Sequence, residues 1–307
     1  MSALAPPAPS AAAVDRALLR RVLFWMDQPP RRVVASAWNG HLGFANALVA
    51  LARPARIVEL GVHVGGSFIA FCDACVRHDV AAEVIGVDTW LGDPHLGKRD
   101  SEAVYEGLCA LAAREWPFAR LVRADFDTAR TDVADGSVDL LHIDGYHTLE
   151  AVANDFNRWH SALSPHGICL FHDIAVHERN FGVHQLWAEL RGRWPSIEFH
   201  HSSGLGVLFV GAEQPDEVRA LLSLWHGSPL AREALRTAAE VLSASFPART
   251  DEERQRVREL EETAGALRRE VCRLEPAAAH LENVTSSRIW RWSAPLRALL
   301  DRLAGGR

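Results

Sequence analysis

From residue 55 onward the chain alternates short apolar runs with amphipathic stretches of about a dozen residues. The runs Arg56–Leu60, Glu83–Val87, Leu121–Ala124, Val138–Ile143 and Gly167–Phe171 are nearly free of polar positions facing outward. Strands of that kind belong to a parallel sheet covered on both faces. Between them the apolar positions fall at helical spacing over Ser67–Val76, Glu102–Arg114, Leu149–Leu163 and Val183–Trp194, with Thr148 placed as an N-cap. Ile197–His201 and Gly206–Val210 flank a Ser-Ser-Gly turn and read as a closing antiparallel pair. The pattern predicts an α/β, Rossmann-like, seven-stranded, mostly parallel sheet with helices on both faces.

Upstream, residues 1–13 are Ala, Pro and Ser with nothing to bury, and disorder is expected there. Val14–Met26 and Trp38–Ala52 read as helices, so residues 14–54 form an N-terminal helical part of the domain whose core is 55–211. Beyond Gly211 strand signals stop. Residues 212–249 read as a helical extension, and from Val257 a heptad appears, with Val257, Ala264, Val271 and Ala278 at one position and Leu260, Leu267, Leu274 and Leu281 at its partner. Residues 250–307 are therefore expected to form a coiled-coil and amphipathic segment, interrupted by Pro276, for self-association or partner docking through 250–303.

Composition removes several functions. A net charge of −6 with dispersed arginines disfavours nucleic acid. No apolar run reaches the ~18 residues of a spanning helix, and the start of the chain shows no basic region leading into an apolar one. The cysteine count is five, an odd number that argues against a disulfide framework. Cys72-x-x-Cys75 lies inside a helix, not at its start, so the pair reads as packing. Together these place the protein in the cytoplasm, with the Trp- and Arg-bearing stretch Arg288–Leu303 leaving open a peripheral seat on the inner membrane surface.

The chemistry gathers at strand ends. Ligands of an open α/β sheet sit beyond the carboxyl ends of the strands, where strand order reverses. Here those ends carry Glu59 and Gly61, Asp88, Asp144, and His172-Asp173. A dinucleotide turn requires Gly-x-Gly-x-x-Gly, but the chain has Gly61-Val-His63-Val-Gly65-Gly66, with His63 at the middle glycine. That favours a nucleoside without pyrophosphate. Asp88 is placed to accept from ribose hydroxyls, and Thr89, Trp90, Asp125 and Phe126 to flank the base.

As a set, Glu59-x-Gly61-x-x-x-Gly65-x-Ser67, Gly86-Val-Asp-Thr-Trp90, Leu140-Leu-His-Ile-Asp-Gly-Tyr-His147 and Leu170-Phe-His-Asp-Ile174 resemble a class I S-adenosylmethionine-dependent methyltransferase. The type is that found with bacterial glycan-building glycosyltransferases, and it is distantly similar to macrocin-type and caffeoyl-CoA-type O-methyltransferases. The resemblance runs from about Ser36 to Gly211 and includes Ser36-Ala-Trp-Asn-Gly-His41. It implies S-adenosylmethionine held by Glu59, Gly61, His63, Gly65, Ser67, Asp88, Thr89, Trp90, Asp125 and Phe126, with Glu59 bracing the turn and the methionine amine. It also implies a divalent metal, Mg²⁺ or Mn²⁺, at Asp144, His172 and Asp173, where His172 stands in place of a carboxylate and shifts the preference from Mg²⁺ toward Mn²⁺, Zn²⁺ or Fe²⁺. His147, on the turn just after Asp144, is the expected general base, Asp144 and Asp173 are the other expected catalytic residues, and His177 and Glu178 are placed for acceptor contacts. The implied reaction is O-methylation of a sugar hydroxyl in a glycan or glycosylated metabolite. Methylation of a non-sugar small molecule, and a scaffold that docks a glycosyltransferase through its C-terminal segment, are the alternatives.

Overall fold

The computed structural model describes residues 11–92, 101–178, 180–247 and 273. The chain divides between Thr250 and Asp251, and of the described residues only Arg273 lies beyond that division. Apart from Arg273, the heptad at 257–281 and the segment 288–303 fall outside the described residues.

Seven strands form one sheet in the order β3-β2-β1-β4-β5-β7-β6. They are β1 (Arg56–Leu60), β2 (Glu83–Asp88), β3 (Ala119–Arg123), β4 (Val138–Ile143), β5 (Leu163–His172), β6 (Ser196–Phe199) and β7 (Leu205–Phe209). The first five are parallel, and β7 runs antiparallel between β5 and β6. The order reverses at β1, which pairs with β2 on one side and β4 on the other, so the ligand crevice opens where β1 and β4 end.

Side chains of successive strand residues enter opposite cores, as a period of two demands. Ile57, Val84, Leu140, Ile168 and Leu170 join one core. It is completed by α1 (Ala11–Met26), α2 (Leu42–Ala52), α3 (Gly66–Arg77), α4 (Ser101–Glu115), α8 (Asp216–Gly227) and a ninth helix over 229–247. Val58, Ile85, Leu141, Cys169 and Phe171 join the other, under α5 (Phe126–Arg130), α6 (Leu149–Trp159) and α7 (Val183–Leu190). Val218, Leu221, Leu235 and Phe246 lie in the same core as Phe44 and Phe68, so the helices over 216–247 pack on the sheet domain itself. No helix of the described residues is long and apolar enough to cross a membrane.

Several boundaries differ from the sequence pattern. Helix α1 begins at Ala11, so residues 11–13 are helical where disorder was expected. β5 starts at Leu163, four residues before Gly167, and its Pro165 is accommodated where the β4–β5 register shifts between Val138 and Leu140. α7 stops at Leu190, and His201 lies in the β6–β7 turn, not in a strand. Cys72 and Cys75 are buried within α3, where burial pushes the Cys75 thiol up to about 12, as suits packing rather than redox chemistry.

Candidate active site

At the end of β1 the chain must pass very close to β4. A Cβ at position 61 would stand 2.0 Å from the Asp144 carbonyl oxygen, and the backbone there has φ +92°, so only glycine fits. His63 also adopts a left-handed conformation, with φ 49°, and its side chain is exposed. Gly65, at φ 87°, then starts α3. The turn is secured from β2. Asp88 Oδ2 accepts from the backbone N–H of Val62 at 3.0 Å and of His63 at 2.8 Å, and Oδ1 accepts from Trp90 N–H at 2.8 Å.

The residues expected around a base are placed unequally. Trp90 is buried, its ring 4.6 Å from Tyr105 and its Nε1–H donating to the His63 carbonyl at 3.1 Å. Asp125 caps α5, accepting from Thr128 N–H and from Thr128 Oγ1 at 2.8 Å each, so its carboxylate serves that helix. Phe126 lies with its ring edge over Gly145, 2.4 Å from where a Cβ would stand. Thr89 is half-buried, its hydroxyl accepting from Leu91 N–H.

Under the turn, Glu59 is fully buried. Its Oε1 accepts from Ser67 Oγ and lies 3.1 Å from His142 Nδ1, whose Nε2 faces Trp38 Nε1 at 3.1 Å. Burial raises the Glu59 carboxyl, and the contacts to His142 and Ser67 offset only part of that. Oε2 is buried without a hydrogen-bond partner. A buried acid with one bare oxygen calls for a donor from a ligand, and the α-ammonium of an amino-acid moiety supplies one.

The second half of the site stands at the ends of β4 and β5. One donor atom each from Asp144, His147 and Asp173 lie within 4.8 Å of one another. His147 Nε2 is 2.9 Å from Asp173 Oδ2 and 4.0 Å from Asp144 Oδ1, and its ring stacks on Phe181 at 4.3 Å and 3°. This group, which could hold a metal ion, contains His147, while the sequence pattern expects His172 beside the two acids. His172 braces the set from behind. Its Nδ1 is 3.2 Å from Asp144 Oδ1 and 3.4 Å from Asp173 Oδ2, and its Nε2–H donates to the Ser202 carbonyl at 3.1 Å. Burial alone would lower its pKa, but the Asp144 and Asp173 carboxylates outweigh burial and carry it to about 10. In return, both carboxylates, which burial would push up, are held below their ordinary range: Asp144 by the charge of His172, and Asp173 by hydrogen bonds from His147 and His172. His177 is exposed and its ring lies 4.3 Å from that of His184, and Glu178 is exposed as well.

Residues outside the expected set complete the site. Trp38 bonds His142, which holds Glu59, while the Ser202 carbonyl accepts from both His41 and His172. One signal for His142 was present in the sequence. A histidine inside the run Val-Asp-Leu-Leu-His-Ile cannot avoid the core, and a buried imidazole needs partners on both nitrogens.

A tight glycine turn above a buried acid, at the switch point of a parallel sheet whose next strand ends carry further acids, is how a class I S-adenosylmethionine-dependent methyltransferase domain meets its cofactor. Residues 58–174 match the family model described as a methyltransferase domain. Over 178 residues the chain is 47% identical to the uncharacterized protein y4gI of Sinorhizobium fredii, a match that covers 58% of this chain and 20% of that protein. The chain thus spans about a fifth of the length of that relative. Among solved structures it is similar to a Podospora anserina methyltransferase with SAH bound, at 15% identity and TM-score 0.42, covering 68% of this chain and 98% of the other. A methyltransferase from Geobacter sulfurreducens, at 15% identity and TM-score 0.41, covers 68% and 93%.

Proposed function

We propose that the protein is an S-adenosylmethionine-dependent O-methyltransferase that methylates a sugar hydroxyl of a glycan or glycosylated metabolite. The observation that carries the reading is the pairing of two halves in one crevice: Glu59 with its bare Oε2 at the cofactor end, and Asp144, His147 and Asp173 at the acceptor end. Glu59 Oε2 receives the methionine ammonium, and the Asp88 carboxylate, already fixed by three backbone N–H groups, keeps lone pairs for the ribose hydroxyls.

At the acceptor end His147 takes the hydroxyl proton, and Asp173, 2.9 Å from its Nε2, stabilises the imidazolium that forms. The acceptor oxygen bonds to the methyl carbon as the carbon–sulfur bond breaks, leaving the thioether of S-adenosylhomocysteine. Phe181 keeps the imidazole plane fixed through its stacked ring.

The alternative to a general base is a metal: the same two carboxylates and imidazole would suit a divalent cation of the Mn²⁺, Fe²⁺ or Zn²⁺ kind better than Mg²⁺, with Asp144, His147 and Asp173 as its ligands in place of the base role and His172 orienting the two acids. Such an ion would acidify a bound hydroxyl. A sugar acceptor is favoured by the resemblance of the motif set to methyltransferases that accompany glycan-building glycosyltransferases. The heptad over 257–281 supports self-association or docking to such a partner, and the free cysteines Cys72, Cys75, Cys109 and Cys169 accord with a reducing cytoplasm.

The test is twofold. Purified protein should transfer a labelled methyl group from S-adenosylmethionine to glycans extracted from a strain lacking the protein, and mass spectrometry of that strain should show one methyl group missing. Transfer to non-carbohydrate fractions alone would overturn the sugar assignment.

A further inference from the structure

The polar set beneath the glycine turn is not consumed by the methyl transfer just described. Trp38, His142 and Glu59 are 1%, 0% and 0% exposed, so none of their polar groups has water as an alternative partner. The donor inventory orders them. An indole N–H can only donate, so His142 Nε2, 3.1 Å from Trp38 Nε1, must accept with its lone pair. The ring hydrogen is therefore on Nδ1, which donates to Glu59 Oε1 across 3.1 Å. Ser67 Oγ donates to the same oxygen. Both donors are spent on Oε1, and Oε2 is left with none.

That asymmetry is built by the fold. Trp38 belongs to the short 3₁₀ turn Ala37–His41, which Ser36 caps by accepting from Trp38 N–H. His142 projects from β4 into the core shared by α2 and α3, its ring 5.8 Å from Phe71 and 5.4 Å from Trp38. Without the indole, the imidazole is free to carry its hydrogen on Nε2 and to present a bare Nδ1 to Glu59, turning an attraction into a repulsion of lone pairs.

We infer that Trp38 and His142 are positioning residues for the cofactor, which pin Glu59 Oε1 so that Oε2 alone is offered to the α-ammonium of the bound amino-acid moiety. The inference rests on S-adenosylmethionine being the cofactor. It adds a specificity element on β4 and a second on the N-terminal segment, neither of which touches the ligand.

Calorimetric titration of the full chain with two probes tests it. S-adenosylhomocysteine carries the ammonium, and 5′-methylthioadenosine keeps the adenosine and thioether but lacks the amino-acid moiety. His142→Leu should weaken S-adenosylhomocysteine about tenfold, as losing a hydrogen bond to a charged group does, while 5′-methylthioadenosine binds as to wild type. His142→Asn, whose amide N–H can occupy the place of Nδ1–H, should recover most of the loss. Trp38→Phe interrogates the relay from its other end and should show the same selective weakening. Equal weakening of both probes without recovery in His142→Asn, or unchanged S-adenosylhomocysteine binding in His142→Leu and Trp38→Phe, overturns the inference. Wild-type protein that binds neither probe overturns the cofactor reading, and this inference with it.

Discussion

Asp155 offers the sharpest test of how the domain handles buried charge. It lies on α6, 7% exposed, with Oδ2 3.2 Å from where a Cβ on residue 145 would stand, beneath the exit of β4. Burial drives its carboxyl upward. A hydrogen bond from Asn154 offsets part of that, the nearby Asp127 charge adds to it, and the net result is a rise from 3.8 to about 7. The native state then keeps this proton to about pH 7, whereas the unfolded chain releases it near 3.8. Between those values the native state binds more protons, so stability falls as pH rises, and the penalty is complete above about pH 7. At ~1.4 kcal/mol per pH unit the full separation is on the order of 4 kcal/mol, and relaxation around the side chain reduces it to roughly 2 to 4 kcal/mol.

Asp155→Asn keeps the shape and removes the ionisation. Thermal unfolding of wild type and variant, followed from below pH 3.8 to about pH 8, should show near-equal stability at the acid end. The variant's advantage should grow steadily with pH and reach roughly 5 to 10 °C, the shift that such free energies give for a domain of this size. An advantage that does not change with pH, or a variant less stable than wild type at pH 8, would refute the reasoning, because either would show that the native carboxyl ionises without penalty.

Three further outcomes follow from the site. Gly61→Ala sets a Cβ 2.0 Å from the Asp144 carbonyl oxygen at φ +92°, and urea unfolding should show a loss of at least ~2 to 3 kcal/mol or no folded protein; unchanged stability would mean that β1 and β4 part readily. His147→Ala should lower kcat by about 100- to 10,000-fold while S-adenosylhomocysteine affinity stays within a few-fold; an equal loss of cofactor binding would move His147 to the other half of the site. Mn²⁺ should bind more tightly than Mg²⁺ in calorimetry, and Asp173→Asn should abolish that binding; a preference for Mg²⁺ would remove the imidazole from the ligand set.

Much of this architecture was legible because it is local. The run Val138–Ile143 is both predicted and observed as a strand, and Thr148 caps α6 by accepting from Ala151 N–H, as its position before Leu149 implies. Helix α5 was not legible. It is five residues long, too short for a periodic signal, and its cap Asp125 looks like any other acid after a strand. Trp90 was equally ambiguous: an aromatic after β2 suits a ligand, but its place against Tyr105 is fixed by α4, which packs from outside the motif. The acids at the ends of β4 and β5 could be read from the sequence, because strand ends converge in any such sheet. That His147 stands beside Asp144 and Asp173 as well as His172 depends on contacts with Phe181 and Ser202, which no local pattern connects to them.

The short segment Ser36–His41 shows why the two halves of the site cannot be treated as independent. At one end Trp38 holds His142, and through it Glu59. At the other, the Gly40 carbonyl accepts from His201 Nε2–H at 2.8 Å, and His41 Nε2–H donates to the Ser202 carbonyl at 3.2 Å, the same oxygen that receives His172. The turn that presents this oxygen has Ser202, Ser203 and Gly204 all at positive φ, a conformation that non-glycine residues keep only where surrounding contacts over-determine it. Gly40 makes the approach possible, since a Cβ there would stand 2.0 Å from Ser202 Oγ. His41 sits 5.7 Å from His172, and burial first, then the charge of His172, holds its pKa well below the ordinary value. One imidazole on the shared carbonyl thus stays neutral while the other carries the charge that balances Asp144 and Asp173. Six residues ahead of α2 set both the buried acid Glu59 and the charged His172 that steadies Asp144 and Asp173, so a change at Gly40 reaches one group through Ser202 and the other through Trp38.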